Sequence, residues 1–164
     1  GITSQSFLLD LYTNIVNGDT IKANKVLHNI YKNGAAPKQI IDDLLNVTYS
    51  LIASLAANSN IEVYDKNKFQ LIIDKCDIPF LNRIWQMLLK GKEEVNKVSH
   101  QMEALEVLII RIAYSSQLPS LEDVVKKIKE DNNEELNIDH IDDNIGNDIR
   151  KILETFPDGE IIKN

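Results

Sequence analysis

Residues 102–114 read MEALEVLIIRIAY, the most apolar stretch of the chain. At helical spacing, six of its side chains share one face: Met102, Leu105, Leu108, Ile109, Ile112 and Ala113. A second apolar stripe lies on another side and consists of Val107, Ile110 and Tyr114. A helix that is apolar on most of its sides is usually buried, either in a core or between subunits. The stretch therefore predicts a central helix, at about residues 99–116, in an all-α protein.

The segments around this helix show the same period, and none in the first 130 residues alternates apolar and polar side chains as a strand does. Gly, Pro and N-cap residues predict the starts of six more helices, near Ser4, Asp19, Pro37, Asp65, Asp77 and Ser120. We assign Phe7, Ile21 and Tyr31 to the core-facing sides of the first two helices. The prediction is a compact bundle of six to seven helices with an irregular acidic C-terminal tail.

The character of the sequence changes after Asp131. Residues 132–147 are rich in Asn, Asp and Glu, which indicates a linker. The helix that starts near Ser120 is therefore predicted to end at Lys129, and another short helix is predicted at residues 148–155. These features divide the chain into a helical domain, residues 1–131, and a linker with a short helix, residues 132–164.

Composition and charge narrow the class of protein. Cys76 is the only cysteine, so no internal disulfide can form and a reducing compartment is expected. There is no secretion signal and no apolar run of about 18 residues, so we expect a cytoplasmic protein without a membrane partner. The net charge is −7 and the lysines are scattered, which disfavours direct binding of nucleic acid. Gly1, in place of an initiator methionine, indicates a fragment of a longer protein.

No constellation of residues predicts catalysis or metal binding. Gly91-Lys92 lacks the remaining glycines and the Ser or Thr of a phosphate-binding loop. The histidines are far apart and Cys76 has no partner cysteine, which disfavours a zinc site. The acidic residues around Gly146 lack the spacing of a calcium loop. We therefore expect no catalytic, cofactor-binding or metal-binding residue in this chain.

Three side chains in apolar segments each have two interpretations. Cys76 and a distant histidine could form a catalytic pair, but a position on an apolar helix face favours a core cysteine. Arg111 either lays its stem along the core with its head in water or forms an ion pair across a subunit interface, and the two interpretations weigh evenly. A tryptophan on the apolar face of a helix is more often a core side chain, which favours a core position for Trp85. The alternative is an interface position, because aromatic anchors are common at interfaces.

Several segments, in this order and at these spacings, resemble one family. Residues 85–95, WQMLLKGKEEV, resemble its "LLxGxxE" helix. Residues 102–114 look like its "EMxLIRLAY" helix, and Gln117 to Ser120 match the "LP" exit that follows it. Upstream, residues 8–19 and the YKNGAAP of residues 31–37 are similar to its opening helix pair. The family is the collar domain of the bacterial DNA polymerase III clamp-loader subunit gamma/tau.

The resemblance covers about residues 4–130 and implies a domain without chemistry of its own. The full subunit resembles an ATP-driven motor that opens the sliding clamp and loads it on primed DNA. Its ATP site, zinc module and arginine finger lie in N-terminal domains, and none of those residues is present here. The collar joins gamma/tau copies with the delta and delta-prime subunits into a pentameric ring. Downstream, residues 152–161 look like the last helix and strand of some tau C-terminal modules.

The predicted helix at about residues 99–116 has two apolar stripes, which fits a subunit that buries surface on two sides. The candidate interface residues are Trp85, Lys90, Val107, Ile110, Arg111 and Tyr114. The alternative hypothesis is a stand-alone helical adaptor that binds a partner helix or peptide. Such an adaptor would stay monomeric and ignore the delta subunits, whereas a collar domain would associate with them. An enzyme is a distant third, because no constellation of residues supports one.

Overall fold

A computed structural model of the chain describes residues 4–59, 64–137, 149–152 and 154. Seven α-helices lie between residues 4 and 137, and the described ranges contain no strand, which confirms the predicted all-α class. The helices are α1 (Gln5–Val16), α2 (Thr20–Lys32), α3 (Pro37–Ala57), α4 (Lys66–Ile73), α5 (Ile78–Lys97), α6 (Gln101–Ser116) and α7 (Leu121–Asn137). Residues 149–152 and 154, inside the short helix predicted at residues 148–155, are also helical, and the rest of the tail lies outside the described residues.

The chain forms two compact units, Gly1–Leu118 and Pro119–Asn164. The first unit contains α1 to α6, and the second contains α7. Helix α7 continues to Asn137, so the predicted end at Lys129 was wrong by about two turns. The added segment contains Glu134 and Leu136, and both residue types favour a helix despite the asparagines before them.

The core of the first unit lies between α3 and the helices around it. Helix α3 packs mainly against α5, and α6 packs against α5, α2 and α1. By length and composition α3 could cross a membrane. Its residues Ile40, Ile41, Leu44 and Leu51, however, are fully buried against the other helices. A helix whose apolar face is covered by its own protein is a core helix, so its composition does not indicate a membrane span.

Polar side chains and glycines set the helix ends where the sequence predicts them. The Asp19 carboxylate accepts a hydrogen bond from the Lys22 amide at 3.0 Å, and Asp77 caps α5 through the Phe80 amide at 2.8 Å. Such caps satisfy amides that have no partner inside the helix. Gly18, after α1, has a φ of +70°, a conformation that a Cβ atom disfavours. These local signals confirm the predicted starts of α2 and α5.

A buried hydrogen bond joins α1 to α3. The Tyr12 side chain is fully buried, and its hydroxyl oxygen lies 2.9 Å from Thr48 Oγ1. Thr48 donates its own proton to the Leu44 carbonyl oxygen at 2.8 Å, so Tyr12 must be the donor in the first bond. Burial raises the pKa of the Tyr12 hydroxyl above its ordinary value of 10.0, because the phenolate would lose its hydration there.

We expect this tyrosine to make the fold sensitive to alkali. Since the pKa of Tyr12 is higher in the folded chain, its contribution to stability is complete below about pH 10 and is lost as the pH rises further. Tyr12→Phe should lower the free energy of unfolding by about 0.5–1.5 kcal/mol at pH 7. The difference from the wild type should shrink above pH 10, because phenylalanine cannot ionise.

Urea unfolding at pH 7, 10 and 11 measures this difference. Both proteins should carry Cys76→Ala, because burial also raises the pKa of Cys76, to about 12, and this thiol titrates in the same range. A difference in unfolding free energy that stays constant from pH 7 to pH 11 would contradict the argument.

Candidate subunit interface

Helix α6 has one buried face and one exposed apolar face. Five side chains on its inner face are buried: Leu105, Leu108, Ile109, Ile112 and Ala113. On the outer face, Val107 is 54% exposed, Ile110 is 42% exposed and Tyr114 is 64% exposed. Their spacing of three and four residues places them in one row, called here the α6 stripe (Val107, Ile110, Tyr114). Within the described part of the chain only the inner face of α6 is covered, so the helix does not lie wholly in a core, and burial of the outer face between subunits stays a prediction.

Charged residues border the α6 stripe on the side of α5. Arg111 Nη1 donates to Glu94 Oε2 at 3.1 Å, and both side chains are close to half exposed. Lys90 is exposed and lies one helical turn before Glu94, so both residues project from the same side of α5. The Arg111 head is thus in water and joins two helices of the same unit. An apolar patch with a polar rim is the common anatomy of a protein interface.

Trp85 and Cys76 are both partly buried and pack against the core. Cys76 lies between α4 and α5, so its predicted position on a helix was wrong. Burial raises its pKa to about 12, and the thiol stays protonated at neutral pH. Within the described ranges, no three His, Cys, Asp or Glu side chains cluster as metal ligands would.

Gly91 allows α5 and α6 to approach each other closely. It lies inside α5 and is buried, and a Cβ atom at this position would overlap both methyl groups of Leu108 and lie 2.9 Å from its Cγ. Leu108 is itself buried, so its side chain has little room to move away. In the sequence, Gly91 was interpreted against a phosphate-binding loop and as part of the LLxGxxE stretch, and neither interpretation predicts this contact. A glycine in the middle of an amphipathic helix, beside its apolar face, is the signal that could have identified this contact.

A groove with a volume of about 620 Å³ lies beside the α6 stripe, between α2 and α6. It is called here the α2/α6 groove and is lined by Thr20, Ile21, Asn24, Lys25, His28, Asn29, Lys32 and Ile110. His28 Nε2 lies 2.8 Å from Glu106 Oε1 and joins the two helices. Asn24 Oδ1 is buried and finds no hydrogen-bond partner among the described residues. This groove cannot be predicted from local sequence patterns, because its two walls, α2 and Ile110 of α6, are far apart along the chain.

The family can be stated from a comparison with known proteins. The family model for DNA polymerase III subunits gamma and tau domain III matches residues 1–128. No curated protein matches the chain. The family match spans 128 of the 164 residues and includes the whole of the first unit, with the α6 stripe and the α2/α6 groove. The chain therefore belongs to the family of domain III of the DNA polymerase III subunits gamma and tau, which makes it an all-α clamp-loader domain of DNA replication.

Proposed function

We propose that this domain holds subunits of the clamp loader together. It would join gamma/tau copies to one another and to the delta and delta-prime subunits, and the α6 stripe would form part of the contact. The observation that carries the proposal is the exposure of Val107, Ile110 and Tyr114 on a helix whose opposite face is fully packed. Apolar side chains that line up and stay exposed on a folded unit commonly mark a surface that another protein covers.

The size of the stripe defines its role in such an assembly. A stable contact buries more than about 1,000 Å² in total, which is more than three side chains supply. The α6 stripe would therefore be the centre of a larger interface, where aromatic side chains such as Tyr114 contribute most of the binding free energy. Lys90, Arg111 and Glu94 would lie at its rim and orient the partner. Trp85 would support this surface from the core side.

The proposed role is assembly, with no chemistry in this domain. In the loader, ATP hydrolysis would take place in other domains of the gamma/tau subunit. The net charge of −7 fits a domain that lies away from DNA, because it would repel the phosphate backbone. A replication subunit of this kind would work in the cytoplasm.

Mixing the chain with the delta and delta-prime subunits tests the proposal. Size-exclusion chromatography with light scattering should show a species whose mass equals that of a mixed complex. A chain that elutes as a monomer in the presence of both partners would instead favour the adaptor hypothesis.

The Arg111–Glu94 pair gives a second test with a small effect on folding. Because both side chains are exposed, Arg111→Ala should change the free energy of unfolding by no more than about 1 kcal/mol. Loss of a rim charge should reduce the rate of association by several-fold, most clearly at low salt. Lys68→Ala, which removes a similar exposed pair with Asp10 between α4 and α1, is the matched control and should leave association unchanged. A lowered melting temperature with unchanged association would contradict the proposed role of Arg111.

A further inference from the structure

The α2/α6 groove and helix α7 have complementary features. We propose that the groove of one chain receives the helix α7 of a second copy of this chain. The inference rests on the proposed assembly function, because it names the segment of a neighbouring gamma/tau subunit that would contact this surface. Its test measures a contact between two copies of this chain, and assembly with the delta subunits is measured separately, so that the two proposals can fail separately.

Helix α7 presents an apolar row. The row consists of Leu121, Val124, Val125 and Ile128, at the i, i+3, i+4 and i+7 spacing of one helix face. All four side chains are exposed, and Leu121 is 82% exposed. An amphipathic helix gains most of its stability from burying such a face. Contact of the apolar row with another apolar surface would therefore stabilise α7.

The dimensions of the groove suit this row. The α7 row runs from Leu121 to Ile128, a rise of about 10 Å along the helix. The α2 wall of the groove runs from Thr20 to Lys32, which is about 18 Å, and Ile21 and Ile110 offer apolar surface within it. An amphipathic helix lying with its apolar face in a groove is a common mode of recognition between proteins. Ile110 also belongs to the α6 stripe, so the groove and the proposed interface are continuous.

The charges of α2 and α7 are opposite in sign, which favours a second copy of this chain as the occupant of the groove. Lys25 and Lys32 of α2 line the groove, and α2 has no acidic residue, although the whole chain has a net charge of −7. Helix α7 has six acidic residues and three lysines, a net charge of −3. Four of the acids fall in its last eight residues, which contain no lysine: Glu130, Asp131, Glu134 and Glu135. The net negative charges of two copies repel each other, whereas the lysines of α2 attract the acidic residues of α7.

A buried acceptor in the groove also calls for a donor. Asn24 Oδ1 has no hydrogen-bond partner among the described residues, and leaving a buried acceptor unpaired is costly. Helix α7 supplies amide donors in Asn132 and Asn133, which follow the apolar row by about one turn. Helix α7 can thus cover the apolar surface of the groove, pair its acidic residues with the lysines and donate a hydrogen bond to the unpaired oxygen.

Disulfide trapping between two single-cysteine versions of the full chain tests the proposal. Both versions carry Cys76→Ala. One adds Asn29→Cys in the groove, and the other adds Lys129→Cys beside the α7 row. The control replaces the groove cysteine with Lys38→Cys, an exposed residue in the first turn of α3. The two versions are mixed with oxidised glutathione, in the absence and in the presence of delta and delta-prime, and the disulfide-linked heterodimer is measured over time.

The groove pair should form the heterodimer at least about tenfold faster than the control pair, since docking raises the local concentration of the two thiols. Adding Lys25→Glu and Lys32→Glu to the groove chain should remove most of this advantage, as should 1 M salt. Equal rates for the groove and control pairs, both with and without the delta subunits, would overturn the docking of α7. Failure of the chain to assemble with delta and delta-prime would overturn the proposed function, whatever the trapping result.

Discussion

The double variant Ile110→Asp, Tyr114→Asp is expected to weaken association with the clamp-loader subunits by at least about a hundredfold, or about 2.7 kcal/mol. Each of these side chains contributes about 1.5–3 kcal/mol when it is fully buried at an interface. The aspartates would also lose hydration in the contact without gaining a partner. Both wild-type side chains are exposed in the free chain, so the variant should fold normally and change stability by about 0.5 kcal/mol or less at each site.

Leu71→Asp is the matched control for this prediction. Leu71 is 62% exposed and lies on α4, a helix that contributes nothing to the α6 stripe. Leu71→Asp should leave the dissociation constant of the complex with delta and delta-prime unchanged. Light scattering, or titration of the labelled chain with the two subunits, measures this constant. If both variants weaken association equally, then the effect comes from added negative charge and not from the α6 stripe.

The largest effect on stability is expected where Gly91 faces Leu108. Leu108→Ala should lower the free energy of unfolding by about 2–5 kcal/mol, because the side chain is buried and leaves a cavity between α5 and α6. Gly91→Ala should also destabilise the fold. Its overlap with Leu108 costs about 1–3 kcal/mol, and the better helix propensity of alanine returns up to about 1 kcal/mol of that.

The double variant makes this prediction specific. With Leu108 shortened, the Cβ atom at position 91 enters space that the leucine methyl groups have left. Gly91→Ala should therefore become neutral or stabilising in the Leu108→Ala background, and the double-mutant cycle should show clear coupling. Val107→Ala, one residue away on the exposed side of α6, is the control and should cost about 0.5 kcal/mol or less. Additive losses in urea unfolding would contradict the proposed contact.

Much of the helical framework can be predicted because its causes are local. Asp19 and Asp77 cap the helices that follow them through an amide three residues away. Pro37 occupies the first turn of α3, where its missing N–H does no harm. Each of these signals involves only a few neighbouring residues, so the helix starts that they set can be predicted from the sequence. The end of α7 was predicted too early, since asparagines before Glu134 weaken a helix without ending it.

The sides of the helices were harder to assign. Phe7, Ile21 and Tyr31 were assigned to core-facing sides, and all three are exposed. Leu9 is fully buried, although the apolar face predicted for α1 does not include it and consists of Phe7, Leu8, Leu11, Tyr12, Ile15 and Val16. The period of a helix gives the direction of its apolar side, but the width of the buried strip depends on how many neighbouring helices cover it. That number is a property of the packed unit and not of any single segment.

The helical class, the starts of most helices and the two apolar stripes of α6 follow from the order of the amino acids. The burial of the Leu108 stripe against Gly91, the exposure of the Tyr114 stripe and the pairing of Arg111 with Glu94 depend on how the helices pack. The difference is one of range along the chain. Helix periodicity and capping act over about four residues, whereas burial requires the meeting of side chains that lie far apart along the chain.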